Sequence, residues 1–141
     1  MPGLNRLAKI VAKPIPKVVT PRVHSIVDYV TAGVFFGSAV WFWSRNKRAA
    51  MASLICGGTE LALTLLTDYS GERKNSISFL THRDMDYGLA AMVATMPESL
   101  AFKDTDESKF FRAQGAFITL LGEVTKTPPA LPAARVRPRA A

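Results

Sequence analysis

This 141-residue chain contains two histidines, and each begins the same signature. His24-Ser25-Ile26-Val27-Asp28-Tyr29 and His82-Arg83-Asp84-Met85-Asp86-Tyr87 both read H-x-x-x-D-Y, at an offset of 58. A histidine and an aspartate four positions apart share one face of a helix. An imidazole beside a carboxylate can form an ion pair, hold or pass a proton, or ligate a divalent cation. If the two copies meet at an axis, His24 falls near Asp86 and His82 near Asp28. Tyr29 and Tyr87 then lie near a membrane–water boundary. A further ionisable residue, Glu60, sits mid-segment between Cys56-Gly57-Gly58-Thr59 and Leu61-Ala62-Leu63. An ionisable group at membrane depth is costly and marks a functional candidate. Its chemistry is a proton or cation relay, or a hydrogen-bonded carboxyl group that ties helices together.

The elements that must position these groups are four apolar segments. Segment one, 25–43, carries a single charge, Asp28, and ends in Trp41-Phe42-Trp43 before the basic Arg45, Lys47 and Arg48. Aromatic residues followed by basic ones mark a membrane boundary. Segment two, 49–67, is also long enough to span about 30 Å of hydrocarbon. Segments three, 86–102, and four, 110–124, are weaker; Pro97 and Glu98 interrupt the third. Helical spacing puts Ser53, Gly57, Glu60, Thr64 and Thr67 on one stripe, which is expected to face the bundle interior. The repeat extends further, with Thr64-Leu65-Leu66-Thr67-Asp68 set against Thr119-Leu120-Leu121-Gly122-Glu123 at an offset of 55. The expected fold is all-α: a four-helix transmembrane bundle of two repeated helical hairpins, 23–69 and 81–124, forming one domain over 23–124. Two spans per repeat give both hairpins the same orientation.

Outside this domain lie two basic, Pro-rich tails, 1–22 and 125–141. The first holds five basic residues and no acid. Read alone, such segments are extended or unstructured. Their counter-charge is anionic lipid headgroups or an acidic partner rather than nucleic acid, because interleaved aromatics are missing. Basic residues number twelve on the side of the two tails and the 68–83 loop, and six on the other side. That asymmetry places both termini in the cytoplasm of a multi-pass protein of the bacterial inner membrane. Gly33-Val34-Phe35-Phe36-Gly37 is a G-x-x-x-G, and Gly33, Gly37, Gly57 and Gly58 are the candidate helix-packing glycines. The single cysteine, Cys56, excludes an intramolecular disulfide and a Cys-rich zinc site. P-loop, Rossmann, nucleophile-elbow and H-E-x-x-H motifs are absent from the sequence.

H-x-x-x-D-Y, a hairpin ending Leu65-Leu66-Thr67-Asp68-Tyr69, and a second His…Asp helix with a proline near its far end resemble the SPW-repeat group of small bacterial membrane proteins. The resemblance covers about residues 23–124. Where that group carries Ser-Pro-Trp, this chain has Ser38-Ala39-Val40-Trp41 and Met96-Pro97-Glu98. It implies an integral membrane bundle without an assigned activity. The functional expectation is a non-enzymatic integral membrane protein with no resident cofactor or metal, a structural or accessory subunit alongside other membrane proteins. The alternatives are a small proton- or ion-coupled transporter or channel using Glu60, and a haem- or chlorophyll-binding subunit using His24 and His82. Divalent-metal binding by His24, Asp28, His82 and Asp86 is a further option, without a known motif behind it.

Overall fold

The computed structural model describes residues 14–72 and 75–128. Among them are four helices: α1 (Pro21–Phe42), α2 (Lys47–Leu66), α3 (Phe79–Ser99) and α4 (Glu107–Val124). Two-residue strands β1 (Thr67–Asp68) and β2 (Ile77–Ser78) lie between α2 and α3. The fold is all-α apart from that short parallel pairing, Thr67 with Ile77 and Asp68 with Ser78.

Local chemistry sets the helix ends. The Thr20 hydroxyl accepts from the backbone N–H of Val23, with Pro21 in the first turn of α1. Ser78, 58 positions after Thr20, accepts from the N–H of Thr81 and starts α3. A hydroxyl at that position satisfies a donor that the helix itself leaves free, and proline there forfeits nothing. Asn46 caps α2 through Ala49. The third helix therefore begins at Phe79, well before the apolar segment expected from the sequence at 86. Its polar first turns are invisible to hydropathy but well capped. Pro97 does not end it at once, because α3 runs on to Ser99.

α1 packs on α2 and α3 on α4 as two antiparallel hairpins, and the hairpins meet chiefly along α2 and α3. Glycine permits the close approach within each hairpin. A Cβ on Gly57 would lie 2.9 Å from the Cβ of Phe35; one on Gly115 would lie 2.8 Å from the Ala90 carbonyl oxygen. The other expected packing glycines behave differently. At Gly33, Gly37 and Gly58 an added Cβ would meet nothing within 4 Å. The buried face of α1 carries His24, Asp28, Thr31, Ala32, Phe35 and Ala39, which turns the G-x-x-x-G outward. The packing glycine of the second hairpin is Gly115, which no glycine motif in the sequence marks.

The bundle has two unlike ends. At one, Phe35, Phe42, Phe102, Phe110 and Phe111 pack edge to face, with centroids 5.2 Å apart for Phe102–Phe111 and 5.6 Å for Phe42–Phe110. At the other, the starts of α1 and α3 meet the ends of α2 and α4 around buried polar side chains. Here Val18 and Val19, just before α1, are tied to the end of α4. The N–H groups of Val18 and Val19 donate to the Val124 carbonyl at 2.8 and 3.0 Å, and Lys126 N–H donates to Val19 at 2.8 Å. Val19 thus bridges to Thr125 as Ile77 does to Thr67, again at the offset of 58. The expectations for 1–13 and 129–141 fall outside the described residues.

Two helices, α1 and α2, are long and apolar enough to cross a membrane. Among the described residues α3 and α4 do not reach that measure.

Candidate functional site

At the polar end, His24, Asp28, His82 and Asp86 close into a ring. His24 Nε2 lies 3.3 Å from Asp28 Oδ1 on its own helix and 3.1 Å from Asp86 Oδ2 on α3. His82 Nε2 lies 3.3 Å from Asp86 Oδ1 on its own helix and 3.2 Å from Asp28 Oδ2 on α1. Each carboxylate thus spans both imidazoles, one oxygen to each. All four residues are 2 % exposed or less. The ring planes of the histidines meet at 80°, centroids 5.6 Å apart. Phe79 closes one side, edge-on to His24 and stacked on His82.

Two threonines determine how the imidazoles are protonated. The Thr67 hydroxyl donates to the Leu63 carbonyl at 2.6 Å and lies 2.8 Å from His82 Nδ1. The Thr125 hydroxyl donates to the Leu121 carbonyl at 2.6 Å and lies 2.8 Å from His24 Nδ1. A hydroxyl has one hydrogen. With it committed to the carbonyl, the oxygen accepts, so Nδ1 carries a proton on both histidines. Each Nε2 then points into the ring, either as a lone pair or as a second N–H. This assignment follows from hydrogen-bond accounting.

Tyr69 adds the one clear asymmetry. Its phenol donates to Asp28 Oδ2 at 2.8 Å and stands 3.3 Å from His82 Nε2. Burial, with the Asp28 carboxylate beside it, raises its pKa above the ordinary tyrosine range. The phenol is therefore a neutral donor. Fifty-eight positions on stands Thr127, whose hydroxyl accepts from Arg83 at 2.6 Å. Next to Tyr69, Asp68 Oδ1 accepts from the N–H groups of Ser70 and Gly71, and Gly71 takes a φ of +77° that favours glycine.

Glu60 lies deeper. The stripe expected on α2 is the buried one, with Ser53, Gly57, Glu60, Thr64 and Thr67 all facing inward. Glu60 is 2 % exposed, and its Oε2 has no hydrogen-bond partner. Asp86 Oδ1 is the ring's own orphan, meeting His82 only at the long 3.3 Å contact. Two other expected residues stand apart. Tyr29 is 47 % exposed, and the Tyr87 phenol donates to Glu123 Oε1 at 2.7 Å on the bundle surface.

Thr67, Thr125, Tyr69 and Phe79 complete the site; the sequence marks Thr67 only as part of the inward stripe of α2 and assigns the other three no place in the site. The signal for the threonines was available. Leu63…Thr67 and Leu121…Thr125 recur at the offset of the histidines. Setting the Leu-Leu pairs at 55 hides it; the Thr67–Leu63 and Thr125–Leu121 hydrogen bonds lie 58 residues apart.

Comparison of the chain with protein-family models, with curated proteins and with solved structures finds no match.

Proposed function

We propose that this chain is a non-enzymatic integral membrane protein made of a duplicated helical hairpin, serving as a structural or accessory subunit of a membrane assembly. The observation that carries this reading is an inverted distribution of polarity. His24, His82, Asp28, Asp86 and Glu60 are inside, while Val40 and Trp41 are 79 % and 67 % exposed, and Ile26, Val30 and Leu65 are each more than half exposed. A large contiguous apolar surface needs a covering. In a bilayer that surface is solvated by acyl chains and polar groups turn inward. The duplication is supported by caps, strand bridges, close-packed glycines and threonine–histidine contacts that all recur at the offset of 58. The resemblance to SPW-repeat proteins belongs with this proposal.

In this reading α3 and α4 also span, with their charged ends reaching the interface. The protein then crosses the bacterial inner membrane four times with both termini cytoplasmic. The outward Gly33 and Gly37 leave a narrow smooth strip on α1 for a neighbouring subunit. Between the two imidazoles the carboxylates fill the space that a haem or chlorophyll macrocycle needs. That weighs against the pigment alternative.

The test is fractionation of the full chain expressed in bacteria. It is expected to sediment with membranes, resist alkaline carbonate and dissolve only in detergent. Recovery in the supernatant without detergent overturns the membrane reading. Native mass spectrometry in mild detergent should then show bound subunits; a lone monomer counts against the accessory role.

One observation favours a second reading, the buried and unpartnered Glu60 Oε2. In a proton- or cation-coupled transporter this carboxylate would be the relay. Liposomes holding the protein would show a flux that Glu60→Gln abolishes; without flux the transporter reading fails.

A further inference from the structure

We infer that the His24–Asp28–His82–Asp86 ring is a binding site for one divalent first-row transition-metal ion, with the two Nε2 atoms and Asp86 as its core ligands. The inference does not depend on whether the helices lie in a bilayer.

The first argument is a hydrogen count. The ring has four N···O contacts of 3.1–3.3 Å but at most two Nε2 hydrogens to fill them. Even with both histidines doubly protonated, each N–H must be shared between two carboxylates in a bent geometry. Asp86 Oδ1 is left with no hydrogen-bond partner in a place that water does not reach. Buried carboxylate oxygens are rarely left so. A cation at the centre engages all of them without needing hydrogens.

The second argument is the tautomer. Thr67 and Thr125 hold hydrogen on Nδ1 of both histidines and leave both Nε2 atoms facing inward. A metal-bound histidine is oriented in this way, with its far N–H donated to an outer oxygen. If both Nε2 atoms are lone pairs, they face two carboxylates of total charge −2 in a low-dielectric interior. A divalent ion neutralises that charge.

The third argument is distance. One ligand atom from each of His24, His82 and Asp86 lies within 4.8 Å of the others. Ligands about 2.0–2.2 Å from a common ion in tetrahedral geometry stand roughly 3.3–3.6 Å apart. The imidazole–carboxylate contacts are close to that edge, so small side-chain rotations would seat an ion. Asp28, outside that group but in contact with both imidazoles and held by Tyr69, would supply the fourth ligand. A set of two imidazoles and two carboxylates suits Zn2+, Fe2+, Mn2+ or Co2+. The hard ions Mg2+ and Ca2+ prefer all-oxygen sites, and Cu(I) prefers sulfur ligands.

The probe is Co2+, followed by Zn2+ competition, on the full chain purified in mild detergent with a histidine-free tag and stripped by chelator. The chain's own two histidines are then the only ones present. One equivalent of Co2+ is expected to bind with the visible absorption of a four-coordinate N/O site, and Zn2+ should displace it. His82→Gln and Asp86→Asn should abolish that band. Because these buried changes can unfold the chain, Thr67→Val provides the independent variant. It keeps every ligand and removes the acceptor of the His82 Nδ1–H together with the hydroxyl's bond to the Leu63 carbonyl, so affinity should fall about 10–100-fold. Glu98→Gln, at the far end of α3, should bind as the parent does. A folded, stripped protein with no Co2+ band and no change in melting temperature on Zn2+ addition overturns the inference. The ring would then be a self-neutral pair of imidazolium–carboxylate contacts. Co2+ binding of unchanged strength in Thr67→Val would overturn the tautomer argument, and binding by His82→Gln would place the ion elsewhere.

Discussion

At the scale of single residues, the site separates side chains of the same type by their partners. Three tyrosines occur in the chain, and only Tyr69 touches the ring. Its phenol donates to a buried carboxylate, and a hydrogen bond to a charged group contributes about 1.5–3 kcal/mol. Tyr69→Phe leaves Asp28 Oδ2 short of a donor and should lower stability by about 2 kcal/mol, read as a drop in melting temperature in detergent. Tyr29→Phe, on an exposed side chain without a ring contact, should change it by less than about 0.5 kcal/mol. Equal effects would show that the Tyr69 contact is not formed. Threonine shows the same dependence on position. Thr67 and Thr125 are buried and fix the histidines, while Thr59 is more exposed and its hydroxyl bonds only to its own helix, at the Ile55 carbonyl. Composition and propensity treat these threonines alike. The offset of 58 distinguishes them.

At the scale of elements, glycine position decides which helices can touch. Gly115→Ala would put a methyl group 2.8 Å from the Ala90 carbonyl and 3.0 Å from the Ala94 Cβ. Backbone cannot yield as a flexible side chain does, so the hairpin must open; the expected cost is about 1–3 kcal/mol. Gly33→Ala meets open space and should leave the melting temperature of the monomer unchanged or higher, since alanine favours helix. If Gly33→Ala instead weakens an oligomer while the monomer still melts as before, the outward strip on α1 is a subunit contact. The sequence made α1 and α2 legible because apolar runs there coincide with capped helices. The apolar segment it marks at 86 begins seven residues into α3, because His82, Arg83 and Asp84 make the first turns polar, while the hairpin bound at 81 falls two residues after the helix start at Phe79. The paired strands were not legible at all. Two residues are too few to carry an alternating pattern, and Val19 with Thr125 or Ile77 with Thr67 are brought together by helix packing. The cross-pairing of the two signatures and the recurring threonines were legible in outline, whereas the ring contacts of Tyr69 and Phe79 needed the geometry.

At the scale of the whole molecule, the proposed membrane reading leaves two cases: both hairpins cross, or only the first does. α1 and α2 have the length and apolarity to span, and α3 and α4 have the same lengths within a few residues but more charge. Yet α3 carries half of the ring, and the ring draws the start of α3 to the level of the start of α1. If α1 spans, α3 begins at the same depth and runs parallel to it, and the 100–106 connection must emerge on the far side with the 43–46 connection. Asn46 Nδ2 donating to the Thr105 hydroxyl at 3.4 Å ties those two connections together. Single cysteines on a Cys56→Ala background separate the cases. Lys17→Cys, Ser76→Cys and Asp104→Cys all replace exposed residues. With a membrane-impermeant maleimide on spheroplasts, Asp104→Cys should label at once, whereas Lys17→Cys and Ser76→Cys should label only after the membrane is opened. That pattern follows from two parallel hairpins with the more basic side in the cytoplasm. The reverse pattern keeps four spans and inverts the protein, making Arg45, Lys47 and Arg48 the dominant cytoplasmic charges. Labelling of Asp104→Cys and Ser76→Cys from the same side would mean that α3 and α4 do not cross. The ring could not then join α1 to α3 at one depth, and the four-span proposal would fail.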